Sequence, residues 1–528
     1  MIEQSLATEK RTTSTNPATG EIIGSTKENS IADLQNAVSE ARTAQKVWRE
    51  KSFAERAKYL FKIRDYLVAH ADDISEIISK DSGKTKVDAI STEVLASAMA
   101  ITYYAKNAES VLKRKTLSGG SILTINKRSY VDRIPYGVIG IISPWNYPFA
   151  IPFHEVAMAL ISGNAVILKT ATQTLEVGKA LKACIDAGEL PQGLFHFLNI
   201  PGNIAGDAFI DSGIDKLFFT GSVPVGKQLM KKASEKLFPL SLELGGNDAM
   251  IVCDDANLYR AVSGAIWAGY SNAGQSCAGV ERIYVDEKFY VSFVTLLKKK
   301  LSEMNVGADK NFNVTVGSLT TEKQLDTVKK HVADAREKGA SIFTVDNIEK
   351  EKQGLFHPLT VIENANNEML VQNEETFGPV VTVTKFKSVE EAITMANDSS
   401  LGLTASVWTK DKTKAHKIAA QLEVGSVMIN DHLMSHGLAE TPWGGWKESG
   451  YGRTHGYLGL EAMTQPRVVI DDIMPGLQKN MWWHPHSKQV YDGLKGGMNF
   501  LYSKNLSLRF SGVLNLVKVF ISPNIHFT

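Results

Sequence analysis

From Tyr136 onward the sequence repeats one pattern: a short apolar run, then a longer stretch with helical spacing. Residues 138–142 are continuously apolar, as a strand covered on both faces must be. The pattern then predicts a helix over 149–162, a strand over 164–169, a helix over 173–187 and a strand over 194–199. A helix at 203–211, a strand at 216–220, a helix at 224–235 and strands at 239–243 and 248–252 follow. Strands alternating with helices imply a doubly wound parallel sheet. Such sheets take ligands at the carboxyl ends of their strands. A helix at 255–272 leads into a second alternating set. It has strands at 280–285, 377–386, 403–408 and 425–430 and helices at 287–303, 321–338, 388–397 and 411–421. This is a second α/β domain. The border falls between Glu243 and Cys277, which would put those residues on facing sides of a cleft.

Before the alternation, residues 31–80 have helical spacing (Leu34, Val38, Ala41, then Tyr59, Leu60, Ile63, Leu67), and a further helical stretch covers 85–112. Residues 118–135 differ. Ser118-Gly119-Gly120 reads as a turn, with two short strands at 122–125 and 129–131; the hairpin either projects from the body or is an ordinary surface hairpin. Residues 441–456 are glycine-rich, but their aromatic and charged residues indicate an ordered loop. The tail from 473 carries Trp482 and Trp483. It ends with Leu506, Phe510, Val513, Leu514, Val517, Phe520 and Ile521 on one helical face and Arg509 and Lys518 off it. That face has three options: a membrane surface, a partner subunit, or the chain's own body.

A chain of 528 residues is too long for one hydrophobic core, and roughly three domains are expected. Its 58 basic and 57 acidic residues nearly cancel, which gives no support to nucleic acid as a partner. Cys184, Cys253 and Cys277 are too few for a disulfide framework and show no paired spacing. We therefore expect a reducing, cytoplasmic compartment and no metal site. Residues Met1 to Lys10 lack the apolar run of a signal peptide, and no apolar stretch is long enough to span a bilayer.

Cys277 lies in Gly274-Gln275-Ser276-Cys277-Ala278-Gly279, where small neighbours leave its sulfur unobstructed. A lone cysteine is ordinarily a small buried hydrophobe, and Cys184 and Cys253 fit that description. A nucleophilic cysteine must instead be reachable and able to ionise. Glu243 ends a buried strand and precedes Gly245 and Gly246; it is either a general base for water or half of an ion pair. Asn146, in Pro144-Trp145-Asn146-Tyr147-Pro148, follows a strand end. Its amide either donates to a developing oxyanion or caps the next helix. The turn Phe219-Thr220-Gly221-Ser222-Val223-Pro224-Val225-Gly226 opens a helix and offers an anion site, though its spacing is not the dinucleotide GxGxxG.

Taken together, these segments resemble the aldehyde dehydrogenase superfamily. The likeness runs from about residue 15 to about 470, with PWNYP at 144–148, FTGSVPVG at 219–226, LELGGND at 242–248, GQSC at 274–277, EETFGPV at 374–380 and GGWKESGYGR at 444–453 in the family's order. The resemblance implies roles. Cys277 matches the nucleophile, Glu243 the general base and Asn146 the oxyanion donor. Lys169 matches the residue that holds the adenosine ribose. Gly221 and Ser222, with Gly226 in the helix that follows, match the pyrophosphate turn. Glu375 matches the nicotinamide-ribose carboxylate, Phe377 the ring beside the nicotinamide, and Trp145 a residue lining the cofactor cleft. Thr172 stands where many NAD-preferring members carry a glutamate, so both NAD and NADP are expected to serve.

The resemblance further implies a cofactor domain (1–115 and 135–243), a catalytic domain (244–455), an oligomerisation element (116–134 and 460–472) and an extension (473–528). The expected reaction converts an aldehyde to a carboxylate through a thiohemiacetal and a hydrolysed thioester. The alternatives are a coenzyme A-acylating semialdehyde dehydrogenase and a catalytically silent structural relative. A homo-oligomer is expected, a dimer before a tetramer, with peripheral membrane contact by the tail as an option. His154 either lines the substrate tunnel or packs its helix. The apolar tail favours a medium or long aliphatic aldehyde.

Overall fold

The computed structural model describes residues 10–348, 354–476, 480–484 and 486–521. Residues 1–9, Pro485 and the side chains of Phe520 and Ile521 lie outside the described residues.

Residues 10–112 and 135–465 form one unit. Its first sheet has six strands in the spatial order Gly450–Tyr451, Leu240–Glu243, Lys216–Thr220, Val138–Ile142, Ala165–Lys169, Phe195–Phe197. All pairings are parallel except the first, in which the glycine-rich loop returns to add an antiparallel edge. Strand order therefore reverses at Val138–Ile142: the chain adds Ala165–Lys169 and Phe195–Phe197 on one side of it, then Lys216–Thr220 and Leu240–Glu243 on the other. That reversal leaves a crevice at the carboxyl ends of the strands, and Asn146, Lys169 and Thr220 follow or end the strands there. The second sheet has seven strands: Ser341–Val345, Leu359–Glu363, Val380–Phe386, Val280–Asp286, Asp248–Val252, Thr404–Trp408 and Ser426–Ile429. The parallel strand runs are buried along their length, as covered faces require.

The helix Ala150–Ile161 is buried at every position, so it is a core element and not an amphipathic surface helix. Trp48 helps to fix it, donating from Nε1 to the Leu160 carbonyl at 2.9 Å. The leading helices Ile31–Trp48 and Phe53–Ala69 start at Ser30 and Ser52. Each serine accepts from a backbone N–H three residues on, while Asp33 and Glu55 reach back to the serine N–H.

Residues 113–134 and 466–521 form the second unit. Its sheet has the order Thr464–Asp472, Lys127–Pro135, Lys115–Leu117. Asp132 binds it together by accepting from Arg114 and Arg467. Residues 122–125, expected as a strand, instead make a short 3₁₀ turn at Ile122–Thr124. Ser121 caps that turn, its Oγ accepting from the Leu123 N–H at 3.2 Å, and this local bond competes with pairing. The hairpin's first strand lies earlier, at Lys115–Leu117. The strands Arg11–Thr15, Ile22–Lys27, Ser341–Val345 and Leu359–Glu363 have no counterpart among the elements expected from the sequence. The tail is a helical hairpin, Lys488–Tyr502 and Leu506–Ile521. The two helices approach along glycines: a Cβ on Gly496 would lie 2.6 Å from the Gly512 carbonyl oxygen, and one on Gly512 2.4 Å from that of Gly496.

Candidate active site

Cys277 follows a strained run. Asn272, Ala273 and Gly274 all have left-handed φ, at 52°, 55° and 73°. Such a run persists only where its surroundings determine it. Asp88 supplies part of that restraint, accepting from Ser271 Oγ at 2.8 Å and from the Asn272 N–H at 3.1 Å. Gly274 cannot be replaced without movement, because a Cβ there would lie 2.0 Å from the Gly378 carbonyl oxygen. Gly246 is just as close to the nucleophile, since a Cβ on it would fall 2.1 Å from the Cys277 carbonyl oxygen.

Asn146 lies against the same segment. Its Nδ2 donates to the Gln275 carbonyl at 3.2 Å. Its own carbonyl accepts from Lys84 Nζ at 2.7 Å and from Asn272 Nδ2 at 2.9 Å. Lys84 is also paired with Glu93 at 2.5 Å, both side chains having no exposed surface. Glu93 lies in a π-helical turn, Ile90–Val94, a feature frequent at functional sites. Its Oε2 accepts from the backbone N–H groups of Phe149 and Ala150. One buried ion pair thus holds both the Asn146 backbone and the start of the helix after it.

Cys277, Glu243, Glu155, Ile151, Trp443, His436 and His455 are among the residues lining a cavity of about 20 Å³, room for roughly one water. Neither carboxylate oxygen of Glu243 makes a hydrogen bond. Burial, then Glu155, pushes its carboxyl well above the usual range; the Arg453 charge and the Trp443 side chain oppose this. Burial, then Glu375, Asp248 and Glu243, raises the Cys277 thiol too. Burial thus disfavours the charged form of both groups in the resting cavity.

Asp248, behind the thiol, gives a direct test of such burial. Burial raises it to about 8, against hydrogen bonds from Thr404 that lower it. A folded-state value above the unfolded one contributes stability that is complete below about 4 and lost as pH rises through about 8. Asp248→Asn, which mimics the neutral form, is expected to gain on the wild type by a few kcal/mol, as an order of magnitude, between pH 5 and 8. Denaturant unfolding at both pH values measures it; a relative loss for the variant over that interval contradicts the sign.

The remaining expected positions divide into two groups. At the crevice of the six-stranded sheet, Lys169 is 5% exposed, its Nζ has no partner among the described residues, and burial lowers it to about 8. A buried ammonium without acceptors calls for ligand oxygens. Gly202, at the start of Gly202–Asp211, is the near neighbour: a Cβ on it would lie 3.8 Å from Lys169 Nζ. Thr172 is half-buried and opens a 3₁₀ turn after that strand. Gly221 and Ser222 precede Val223–Ser234, whose first turn has no side-chain cap and has Pro224 near its start, leaving its N–H groups for a ligand. Gly226 lets that helix pack down on Leu244, since a Cβ would meet Leu244 Cδ2 at 2.6 Å. At the second sheet, Glu375 Oε1 accepts from the Gly246 N–H at 3.0 Å. Phe377 holds φ at 53°, its N–H donating to Glu281, and its ring meets Trp145 edge-on with centroids 5.5 Å apart. These groups suit a dinucleotide: an unpartnered cation, an open helix N-terminus and two aromatic rings. Lys84, Glu93, Glu155, His436, Trp443 and His455 were missed by sequence reasoning.

The fold and this cleft define a dinucleotide-linked oxidoreductase that carries a thiol at its reacting end. The sequence profile of the aldehyde dehydrogenase family matches residues 4–469, and the chain belongs to that family. Its reaction is the oxidation of an aldehyde to the acid with NAD or NADP. It is 35% identical to a 4,4'-diapolycopene aldehyde oxidase from Methylomonas sp, over 93% of this chain and 92% of that one. It is 36% identical to a putative NADP(+) succinate-semialdehyde dehydrogenase from Mycolicibacterium smegmatis, over 83% and 84%. Among solved structures, an aldehyde dehydrogenase from Brucella melitensis biovar abortus 2308 superposes with a TM-score of 0.83 at 35% identity, covering 88% of this chain and 94% of that one. An NAD+ complex of an aldehyde dehydrogenase from Bacillus cereus gives 0.83 at 32%, with the same coverage.

Proposed function

We propose that this dehydrogenase oxidises a neutral, apolar aldehyde, with Cys277 as nucleophile, Glu243 as general base and Asn146 as oxyanion donor. The six-stranded sheet carries the dinucleotide and the seven-stranded sheet the thiol. The observation that supports this most is the shared cavity of Cys277 and Glu243, with the Asn146 amide beside the Gln275–Cys277 backbone. Cys277, as thiolate, adds to the carbonyl carbon. The Asn146 amide and the Cys277 N–H meet the oxyanion of the thiohemiacetal. When bound, the nicotinamide accepts a hydride. Glu243 then takes a proton from water as it attacks the thioester, and the carboxylate leaves. Lys169, Thr172, Gly221, Ser222, Gly226, Glu375, Phe377 and Trp145 hold the dinucleotide.

The cavity bears on the substrate. Ile151, Leu244 and Trp443 give it apolar walls, its polar groups are two carboxyls, two imidazoles, the Thr220 and Thr454 hydroxyls and the thiol, and no lysine or arginine is among its lining residues. A substrate with its own carboxylate would find no cation there. The likeness to a relative named for a diapolycopene aldehyde supports an apolar chain as well. A panel of graded aldehydes, run with each cofactor, is expected to favour long apolar aldehydes over succinic semialdehyde and to proceed with both NAD and NADP. Preference for the semialdehyde, exclusion of NADP, or a coenzyme A thioester as product overturns the corresponding part.

Two surfaces of the second unit have proposed partners. The edge strand Thr464–Asp472 exposes Val468 and Ile470, and we assign it to pairing with a second copy in a homodimer. The helical hairpin we assign to an anionic lipid surface. Tyr502, Leu506, Phe510, Leu514 and Val517 are exposed on it, and Trp482 and Trp483 are exposed just before it. Residues 486–521 carry Lys488, Lys495, Lys504, Arg509 and Lys518 against Asp492 as the one acid. Each basic residue near an anionic leaflet contributes about 1 kcal/mol. Among the described residues no helix is long and apolar enough to cross a membrane, so the contact is interfacial. The full chain is expected to sediment with phosphatidylglycerol vesicles, less at high salt, and Phe510→Ser/Leu514→Ser to release it without altering the dimer mass in light scattering. Equal sedimentation of wild type and variant rejects the lipid assignment, and a fall to monomer mass assigns the hairpin to a second copy instead.

A further inference from the structure

Three histidines with no part in the chemistry above meet beside the thiol cavity. His154 is on the buried helix Ala150–Ile161, His436 on the short turn Met434–Gly437, and His455 just before Gly456–Ala462. His154 Nδ1 lies 3.2 Å from His455 Nε2 although the residues are 301 positions apart. The ring centroids are 4.7 to 5.6 Å from one another. One ring nitrogen from each residue falls in a group whose members all lie within 4.8 Å. His154 and His455 are 1% and 2% exposed, yet His154 Nε2 and His455 Nδ1 have no hydrogen-bond partner. A buried polar atom left without a partner is costly, and here two rings of one cluster each carry one, on the nitrogen other than that by which they meet. His455 moreover holds a left-handed φ of 56°, an added strain at the same place.

We propose that His154, His436 and His455 form a binding site for one divalent transition cation of the zinc class. Imidazole nitrogen is a favoured ligand for such ions, and three histidines leave a coordination position open. Metal ligation requires neutral rings, and burial disfavours the charged form of all three. Tetrahedral ligation at a metal–nitrogen distance of about 2.0–2.1 Å brings nitrogens to about 3.3 Å of each other. His154 Nδ1 and His455 Nε2 already stand at about that spacing, so binding closes the remaining separations, none above 4.8 Å, by at most about 1.5 Å. His436 and His455 line the same cavity as Cys277 and Glu243. A cation held by rings that line this cavity would take up space an aldehyde needs and compete for the Cys277 sulfur. The inhibition rests on the proposed role of Cys277; the binding does not.

Cobalt(II), which reports its coordination by visible absorption, separates the two. Full-length protein stripped with a chelator is expected to take up one equivalent of Co²⁺ per chain, and Cys277→Ser to retain it. His154→Gln and His455→Gln are each expected to weaken binding at least tenfold, while His484→Gln/His486→Gln, which removes the exposed histidine pair of the tail, leaves it unchanged. Zn²⁺ is expected to raise the unfolding midpoint of the Cys277→Ser protein, a readout that stands even if a histidine variant fails to fold. Absence of uptake, uptake that survives both cluster variants, uptake lost with the tail pair, or no rise in the midpoint overturns the site. Uptake that follows the cluster while Zn²⁺ leaves turnover untouched overturns only the inhibition.

Discussion

Glu243→Gln is expected to stop turnover after one cycle. The first half-reaction needs the Cys277 sulfur, the oxyanion donors and a bound cofactor, all of which the variant keeps. The second needs a group that takes a proton from water, and glutamine cannot. Rapid mixing of the variant with aldehyde and excess NAD or NADP should therefore give a burst of reduced cofactor close to one per active site, then a steady rate about 10²–10⁴-fold below wild type. The acyl-enzyme should be visible by intact mass. The site's physical state makes the test sharp. Glu243 has no hydrogen bond to lose, so the isosteric amide disturbs little else. Burial raises its carboxyl, so wild-type deacylation should quicken as pH rises through its titration, and the variant should lose that dependence. A variant that turns over at the wild-type rate removes Glu243 as the base. One with neither burst nor turnover places it before acylation.

The alternation of strand and helix was legible because both faces of each parallel strand are covered, which writes continuous apolar runs such as 138–142 and 164–169 into the sequence. Cys277, Glu243 and Asn146 were legible as candidates because each follows or ends a regular element and is flanked by residues that an ordinary turn does not require. What the sequence hid was pairing at long range. Glu93 sits in a stretch that reads as ordinary helix; only the π-turn and its partner Lys84 reveal a buried carboxylate aimed at the next helix. His436 and His455 read as loop residues, because their neighbour His154 lies about 300 positions earlier. Leu359–Glu363 is too short for a period to show, and it is a strand because Val380–Phe386 lies beside it. The misplaced strand at 122–125 has a local cause, since β-branched residues there are outweighed by the Ser121 cap.

The Lys84–Glu93 pair carries the second large expectation, and it separates fold from chemistry. Lys84→Met leaves the Glu93 carboxylate buried without its cation. Removing one partner of a buried pair typically costs about 3–5 kcal/mol, because the other charge is left uncompensated. The same change takes a donor from the Asn146 carbonyl, so the side chain we propose as oxyanion donor loses one of its anchors. A misdirected donor of that kind lowers kcat by about 10²–10³-fold and leaves KM less affected. Adding Glu93→Gln to Lys84→Met removes the orphaned charge while its side-chain oxygen still accepts from the Phe149 N–H. The double variant should therefore regain most of the stability in denaturant unfolding. Its kcat should stay low, because nothing has restored the donor to Asn146. Recovery of both together would mean that the pair serves the fold alone. A single variant with normal kcat would show that Asn272 Nδ2, which also donates to the Asn146 carbonyl at 2.9 Å, suffices to hold it. Stability and turnover moving apart in the double variant is the outcome that ties this ion pair to the chemistry through Asn146.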